Sequence, residues 1–482
     1  MGRYKIALLV TLLTAGLVVI APAAQAAGTQ HLHFEYGPVH VLRGQNVIQN
    51  SGSIPKPAQD GWITGFRPNL ILPDGTVPPV DVIHLHHVVF LNTSRSDTTR
   101  PGLPERFFAV GEEKTRLKLP KPYGYPTKAS DHWALNYMLH DLVNREFDVR
   151  IVYDIDFVPA NTSKPLHNVT PIWMDVQNGS AYPVFDVHLH GGTNGKFTYP
   201  DDATNPYSGA PLNEWTLPSA GRLVLTGGHL HPGGLWTDLY LERGSQTAHL
   251  FRSTAKYYEK AGPVSWDVSI NVTTPKWNVG VQAGDVLRIT ATYDSSQWAW
   301  FETMGIMQVW FAPNETGTDP FALSTSQMKG KLTHGHLKEN NNHGGADDPT
   351  LPDATALPDG SATTTVDITN FLYQPGNLLH ATAVPTVHAG DSITFDNLDA
   401  PASGYGTWHS ITACKLPCDK TTGVAYPTAN ADVEFDSGQL GNNGPPTAGR
   451  LTWNTPTNLA PGTYSYFCRV HPFMRGVFRV VP

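Results

Sequence analysis

The chain has three cysteines in 482 residues, and none lies before Cys414. A disulfide framework is therefore ruled out for most of its length, and the fold has to rest on buried apolar surface. Charge is also sparse, at 15% of residues, and acidic residues outnumber Lys and Arg by 41 to 33. A net charge of −8 offers no basic face, which argues against nucleic acid and anionic membranes as partners. Long helical periodicity is scarce. Short alternating runs between turn residues dominate, with 44 Gly and 40 Pro, so the chain reads as all-β. The one long apolar run, residues 6–20, follows Arg3 and Lys5 and is too short to span a bilayer comfortably. It ends at Ala-Gln-Ala, residues 24–26, an A-x-A cleavage site. Residues 1–26 are expected to be a signal peptide cleaved after Ala26. The mature protein would be secreted or held in the cell envelope or periplasm, without membrane insertion. Losing Arg3 and Lys5 leaves 31 basic against 41 acidic residues, a net charge of −10.

The length suggests about three domains. Composition places them at residues 27–165, 166–313 and 361–482, with a polar, Gly-, Asn- and His-containing linker over 314–360. Strands are predicted around residues 80–91, 148–158, 221–225, 235–241, 285–293 and 305–311. This is sandwich or jelly-roll material.

Near the C-terminus, residues 466–476 read Tyr-Phe-Cys-Arg-Val-His-Pro-Phe-Met-Arg-Gly. Cys468, His471 and Met474 put a thiolate, an imidazole and a thioether in one loop. His409 lies upstream, beyond the strand-like run 392–395, and supplies a second imidazole. Two His, one Cys and a weak axial Met form the trigonal set of a blue-copper electron-transfer site. Cys414 and Cys418 remain, spaced i, i+4. An oxidising compartment favours pairing them, and two free thiols are the alternative. The segment resembles cupredoxins of the plastocyanin and amicyanin type. The resemblance rests on Phe371, Ala-Gly-Asp at 389–391, His409, Pro-Gly-Thr-Tyr at 461–464 and Cys468. It implies a Greek-key β-sandwich with type 1 copper held by His409, Cys468, His471 and Met474.

Upstream, histidines cluster as His84, His86 and His87, then His140, His188 and His190, and His229 and His231 between glycines. On a strand i and i+2 share a face, so His-x-His can clamp one metal. Two imidazoles and a thioether such as Met304 suit Cu(I), with Met307 as a nearby competitor. His86 and His87 would face opposite ways on a regular strand. Joint binding needs a bulge, unless His84 and His86 are the pair. The order of motifs resembles the ascorbate-dependent copper monooxygenases of the peptidylglycine and dopamine type. That family has two jelly-roll domains with one copper each across a solvent-filled cleft. The resemblance implies a first copper at His86, His87 and His140, which stores and passes electrons. It implies a second, catalytic copper at His229, His231 and Met304, which activates O2. The family's disulfides are missing here, and Gly227 replaces the Arg that anchors a peptidylglycine carboxylate. The expectation is an O2-dependent oxidoreductase acting on an organic substrate, fed by an electron donor through the blue-copper domain. A non-catalytic copper or electron carrier is the alternative. A nitrite-reductase-like relay ranks third, since Arg469 rather than His follows Cys468. His188 and His190 receive no role, and His334, His336 and His343 are expected to be solvated.

Overall fold

The computed structural model describes residues 28–177, 183–203, 213–258, 266–340, 351–400, 407–414, 433–441 and 451–482. The expected leader lies outside them. So do His343, Cys418 and the side chain of Cys414, and with them the candidate cysteine pair. The described residues form β-sandwich sheets, and their helical turns are short, such as the 3-10 turns Pro320–Ala322 and Leu378–His380. Among the described residues no helix is long and apolar enough to cross a membrane.

The first sandwich contains β1 (Gln30–Val41), β2 (Ile48–Asn50), β3 (Gly61–Ile71), β4 (Ile83–Ser96) and β5 (Pro104–Gly111). It continues with β6 (Leu117–Lys118), β7 (Tyr123–Thr127), β8 (Trp133–Asp141) and β9 (Phe147–Pro159). Alternation places these strands. In β9, Val149, Ile151, Tyr153, Ile155 and Phe157 are buried, while Asp148 and Asp154 face out and pair with His40 and His33 of β1. One sheet runs β1-β9-β3-β7 and the other β2-β8-β4-β5, with the two-residue β6 on β3. That interleaving is a jelly roll. The predicted strand at 80–91 starts late, because the N–H groups of Val82 and Ile83 turn back onto Pro79 O.

In the second unit, Trp300–Pro313 pairs with Thr170–Asp175 on one side and Gly221–Leu230 on the other. The sheet continues through Val268–Val272, Gln246–Tyr257, Gly234–Arg243, Val286–Asp294 and Lys196–Tyr199. The polar stretch expected as a linker packs against this unit where it is described. Lys331–Leu332 pairs with Val268–Val272, and His334 Nε2 donates to Val268 O. His336, Leu337 N and Asn340 Nδ2 all donate to Asp267, which is fully buried. A carboxylate removed from water has to be matched by donors, and this one draws the segment in. His334 is half-buried by these contacts, whereas His336 keeps an exposed side chain, as expected, while bonding Asp267.

The third unit is a sandwich of six strands and four. The larger sheet is ordered Asp359–Ala362, Val384–His388, Arg475–Val481, Gly462–Phe467, His409–Cys414, Val433–Leu440. The smaller holds Leu372–Gln374, Thr365–Thr369, Thr394–Asn397 and Thr452–Asn454. His409 opens one strand. Cys468, His471 and Met474 occupy the turn between Gly462–Phe467 and Arg475–Val481.

Candidate metal centres

That turn brings the predicted C-terminal set together. Cys468 Sγ lies 3.9 Å from Nδ1 of both His409 and His471, and the two Nδ1 atoms are 3.2 Å apart. His471 Nε2 donates to Gly44 O at 2.8 Å, and His409 Nε2 donates to Asp399 at 2.9 Å. With the outer nitrogens committed, both Nδ1 atoms point lone pairs at each other and at sulfur. Such a set needs a cation, either a proton or a metal. Burial pushes the Cys468 thiol up, but His409 and the N–H groups of Ser410 and His471 outweigh it and hold it low. A low thiol with soft and imidazole donors fits copper. Met474 is buried in the same core, and its N–H and C=O close the turn onto His471 and Cys468.

The turn does not face solvent. Phe371 sets its ring edge-on to His409 and His471, at 5.4 and 4.9 Å. Gly44 of the first sandwich sits on Phe371. A Cβ there would lie 2.5 Å from Phe371 Cε1, and its φ of +64° also favours glycine. Arg469, next to Cys468, enters the second unit. It donates to Ala299 O, pairs with Asp436 at 2.9 Å and lies over Trp298 and Trp300 at 5.1 and 4.7 Å. Arg469→Leu leaves Asp436 buried without its cation, so a loss of about 3–5 kcal/mol is expected in denaturant unfolding. An unchanged midpoint would contradict this clamp.

Upstream, a bulge decides the geometry. The β4–β8 register runs His84↔His140 and Leu85↔Leu139, then skips His86 to His87↔Met138. The extra residue restarts the alternation, so Leu85, Val88 and Phe90 stay in the core while His84 and His87 share the outer face. Both alternatives left open by the sequence are realised. Ligand atoms of His84, His86 and His140 come within 4.8 Å of one another, and so do those of His86, His87 and His231. The expected grouping of His86, His87 and His140 as one set is therefore replaced, and His86 belongs to both triads.

Of the second expected set, the His229 and His231 rings lie 5.2 Å apart. The His86 and His231 rings are 4.2 Å apart, so no wide cleft separates the two groups. His229 joins Glu112 and Glu113. It keeps company with Met304 because Gly221–Leu230 pairs with Trp300–Pro313, placing His229 opposite Ile306 and Leu230 opposite Gly305. Met304, His229 and His87 line one cavity of about 340 Å³. Met307 lies in the core of the second unit and drops out as a rival. His188 and His190 are exposed and join none of these groups.

The imidazoles are oriented for metal. His84 Nδ1 donates to Val80 O at 2.5 Å, His140 Nε2 to Val470 O at 2.9 Å and His229 Nδ1 to Glu113 at 3.0 Å. His86 Nδ1 bonds Glu112. Among the described residues, the opposite nitrogens of His84, His140 and His229 are buried without a hydrogen-bond partner. Buried lone pairs left without a donor are costly unless a metal fills them. Glu112 and Glu113, both buried, were missed by sequence reading. An acidic pair after an apolar strand carries no spacing signal, and only the fold sets it behind His86 and His229.

Burial pushes His86 and His140 down to about 3, and repulsion from His229 and from His86 respectively adds to this. Burial also holds His84, His87 and His471 well below the usual value. The unfolded chain protonates these groups near 6.5, so their stabilising share is complete above that pH and lost as pH falls toward 3. The fall from 6.5 to about 3 amounts to roughly 5 kcal/mol for each of His86 and His140. His229, His409 and the buried carboxyls of Glu112, Asp141 and Asp175 are raised and act in the opposite sense. The His86 share is read by difference: in metal-free protein, the unfolding midpoint at pH 7 relative to that at pH 5 should be lower in His86→Gln than in wild type. An equal change in both would refute the burial of a neutral His86.

No family model matches the chain, and no curated protein matches it. Among solved structures, a mutant of amicyanin in its Cu(I) form is 23% identical, covering 28% of this chain and 94% of its own, with a TM-score of 0.15. An oxidised amicyanin mutant is 21% identical over 27% of this chain and 97% of its own, at 0.16. A Cu-containing nitrite reductase from Thermus scotoductus is 14% identical, covering 54% of this chain and 55% of its own, at 0.16.

Proposed function

We propose that the chain is an exported copper oxidoreductase in which the C-terminal domain feeds single electrons to a histidine centre that hydroxylates an organic substrate with O2. One observation carries the reading: His140, a candidate ligand upstream, donates its Nε2 proton to Val470 O, inside the loop joining Cys468 to His471. The path from Cys468 crosses two peptide units to the carbonyl of a third, at Val470, and then one hydrogen bond, and the His140 and His471 rings are 6.1 Å apart. This contact takes the place of a Cys-His dipeptide.

His409, Cys468, His471 and Met474 would hold the electron-transfer copper, and His84, His86 and His140 with His87, His229, His231 and Met304 would hold copper upstream. Copper bound at these sites would supply one-electron redox chemistry and activation of O2. Val80 O, Val470 O and Glu113 fix the tautomers of His84, His140 and His229, so the binding nitrogens need no rearrangement. The apolar cavity beside His87, His229 and Met304 would exclude water from the reacting C–H bond. The overall change is R–H + O2 + 2 e⁻ + 2 H⁺ → R–OH + H2O, with the electrons drawn from an external one-electron donor.

Copper should exceed one per mature chain after excess metal is removed, and O2 uptake should depend on substrate. A single copper tied to the blue band would leave an electron carrier with structural histidines. Met304→Ala is expected to slow substrate-dependent O2 uptake about 10–100-fold with the visible band unchanged. A variant as fast as wild type would sink the role given to Met304.

A further inference from the structure

The cavity beside His87, His229 and Met304 has a wall chemistry that narrows what it can admit. Val89 and Leu91 follow His87 at i+2 and i+4, so the bulge that turns His87 outward also turns these two apolar side chains into the cavity. Ala109, Trp173 and Ile306 complete an apolar lining. At about 340 Å³ the space is roughly twice the ~150 Å³ of an apolar cavity that holds benzene. It lies at the small end of ligand pockets.

Among the described residues, Arg106 is the one charged residue of the lining apart from the histidines, and its charge is already answered. Its Nε and Nη2 donate to Asp97 at 2.9 and 2.8 Å, and its Nη1 lies 3.6 Å from Asp175. Its guanidinium lies 4.8 Å over the Trp173 ring. An incoming carboxylate or phosphate would have to displace Asp97 or sit beside two buried acids. An ammonium would lose its hydration next to a guanidinium, with no carboxylate among the described lining residues to replace the water. Neutral hydrogen bonding is available at the mouth, where Asn136 Nδ2 donates to the exposed Asn50 Oδ1.

Resting on the monooxygenase reading above, we propose that the substrate of this site is an uncharged, largely apolar organic molecule of one or two rings in bulk. Any hydroxyl or carbonyl would lie toward the Asn50–Asn136 pair, and carboxylates, phosphates and amines are rejected.

The test uses the full copper-loaded protein and three probes of one shape: naphthalenemethanol, naphthoate and naphthylmethylamine, titrated by calorimetry at pH 7. The alcohol is expected to bind, with the anion and the cation at least ~100-fold weaker. Val89→Trp and, separately, Ala109→Phe should abolish alcohol binding while copper content and the visible band stay at wild-type values. Naphthoate or the amine binding as tightly as the alcohol, or alcohol affinity surviving both filled variants, would overturn the proposal. The two readings fail separately. Selective alcohol binding with no substrate-dependent O2 uptake for any neutral compound removes the oxygenase reading and leaves the pocket's selectivity. O2 uptake driven by a charged substrate removes the selectivity and leaves the oxygenase.

Discussion

Cys468→Ser is expected to bleach the protein. The blue or green colour of the oxidised form would come from charge transfer out of this thiolate, and a serine hydroxyl neither ionises near neutral pH nor matches copper in softness. The N–H groups of Ser410 and His471, which point at Sγ at 3.3 and 3.2 Å, would have a poorer acceptor, but the turn is also closed by Met474 and Cys468 backbone bonds. The variant should fold, lose one copper per chain and retain upstream copper. Turnover driven by an external donor should fall to background, while protein reduced chemically beforehand should still complete one round with substrate when two upstream Cu(I) ions, one electron each, are present. Loss of all copper would mean that the two centres are not separate, and a retained visible band would remove Cys468 from the site.

His140→Ala should do the reverse. The visible band is expected to stay, since His409, Cys468, His471 and Met474 are untouched. Upstream copper should be lost or weakly held, because His140 is one of the three groups converging with His84 and His86. Val470 O loses its donor, a cost of about 1–3 kcal/mol for a buried carbonyl. Reoxidation of the reduced C-terminal copper by O2, followed by stopped flow, should slow by orders of magnitude. His140→Gln keeps an N–H for Val470 but makes a poor ligand, so it separates the two functions of the residue. Reoxidation as fast as wild type in His140→Ala would refute the route through Val470.

Much of this was legible in the residues. The strand over 148–158 and the set His409, Cys468, His471 and Met474 follow from local periodicity and short spacing, which the fold then preserves. The partition of the upstream histidines was not legible, because it depends on one skipped position in the β4–β8 register. A bulge at His86 exchanges the faces of every residue on one side of it, and nothing in His-Leu-His-His says where the extra residue falls. The packing of 314–340 was missed for a related reason. Its composition is that of a linker, and it is ordered by Asp267, a carboxylate remote in sequence. Glu112 and Glu113 behave alike: their function is assigned by what the sheet sets against them.

The carbonyl of Gly44 has a consequence for traffic. It covers the outer nitrogen of His471, and Phe371 closes the adjoining side, so His471 has no exposed edge. A soluble redox partner cannot dock on that imidazole. Under the proposed function, the side of the loop nearest His140 would serve as the outlet, and an incoming electron would have to enter across another face of the C-terminal domain. Inlet and outlet would then be spatially divided, with the direction of flow set by the potentials of the two centres rather than by the route.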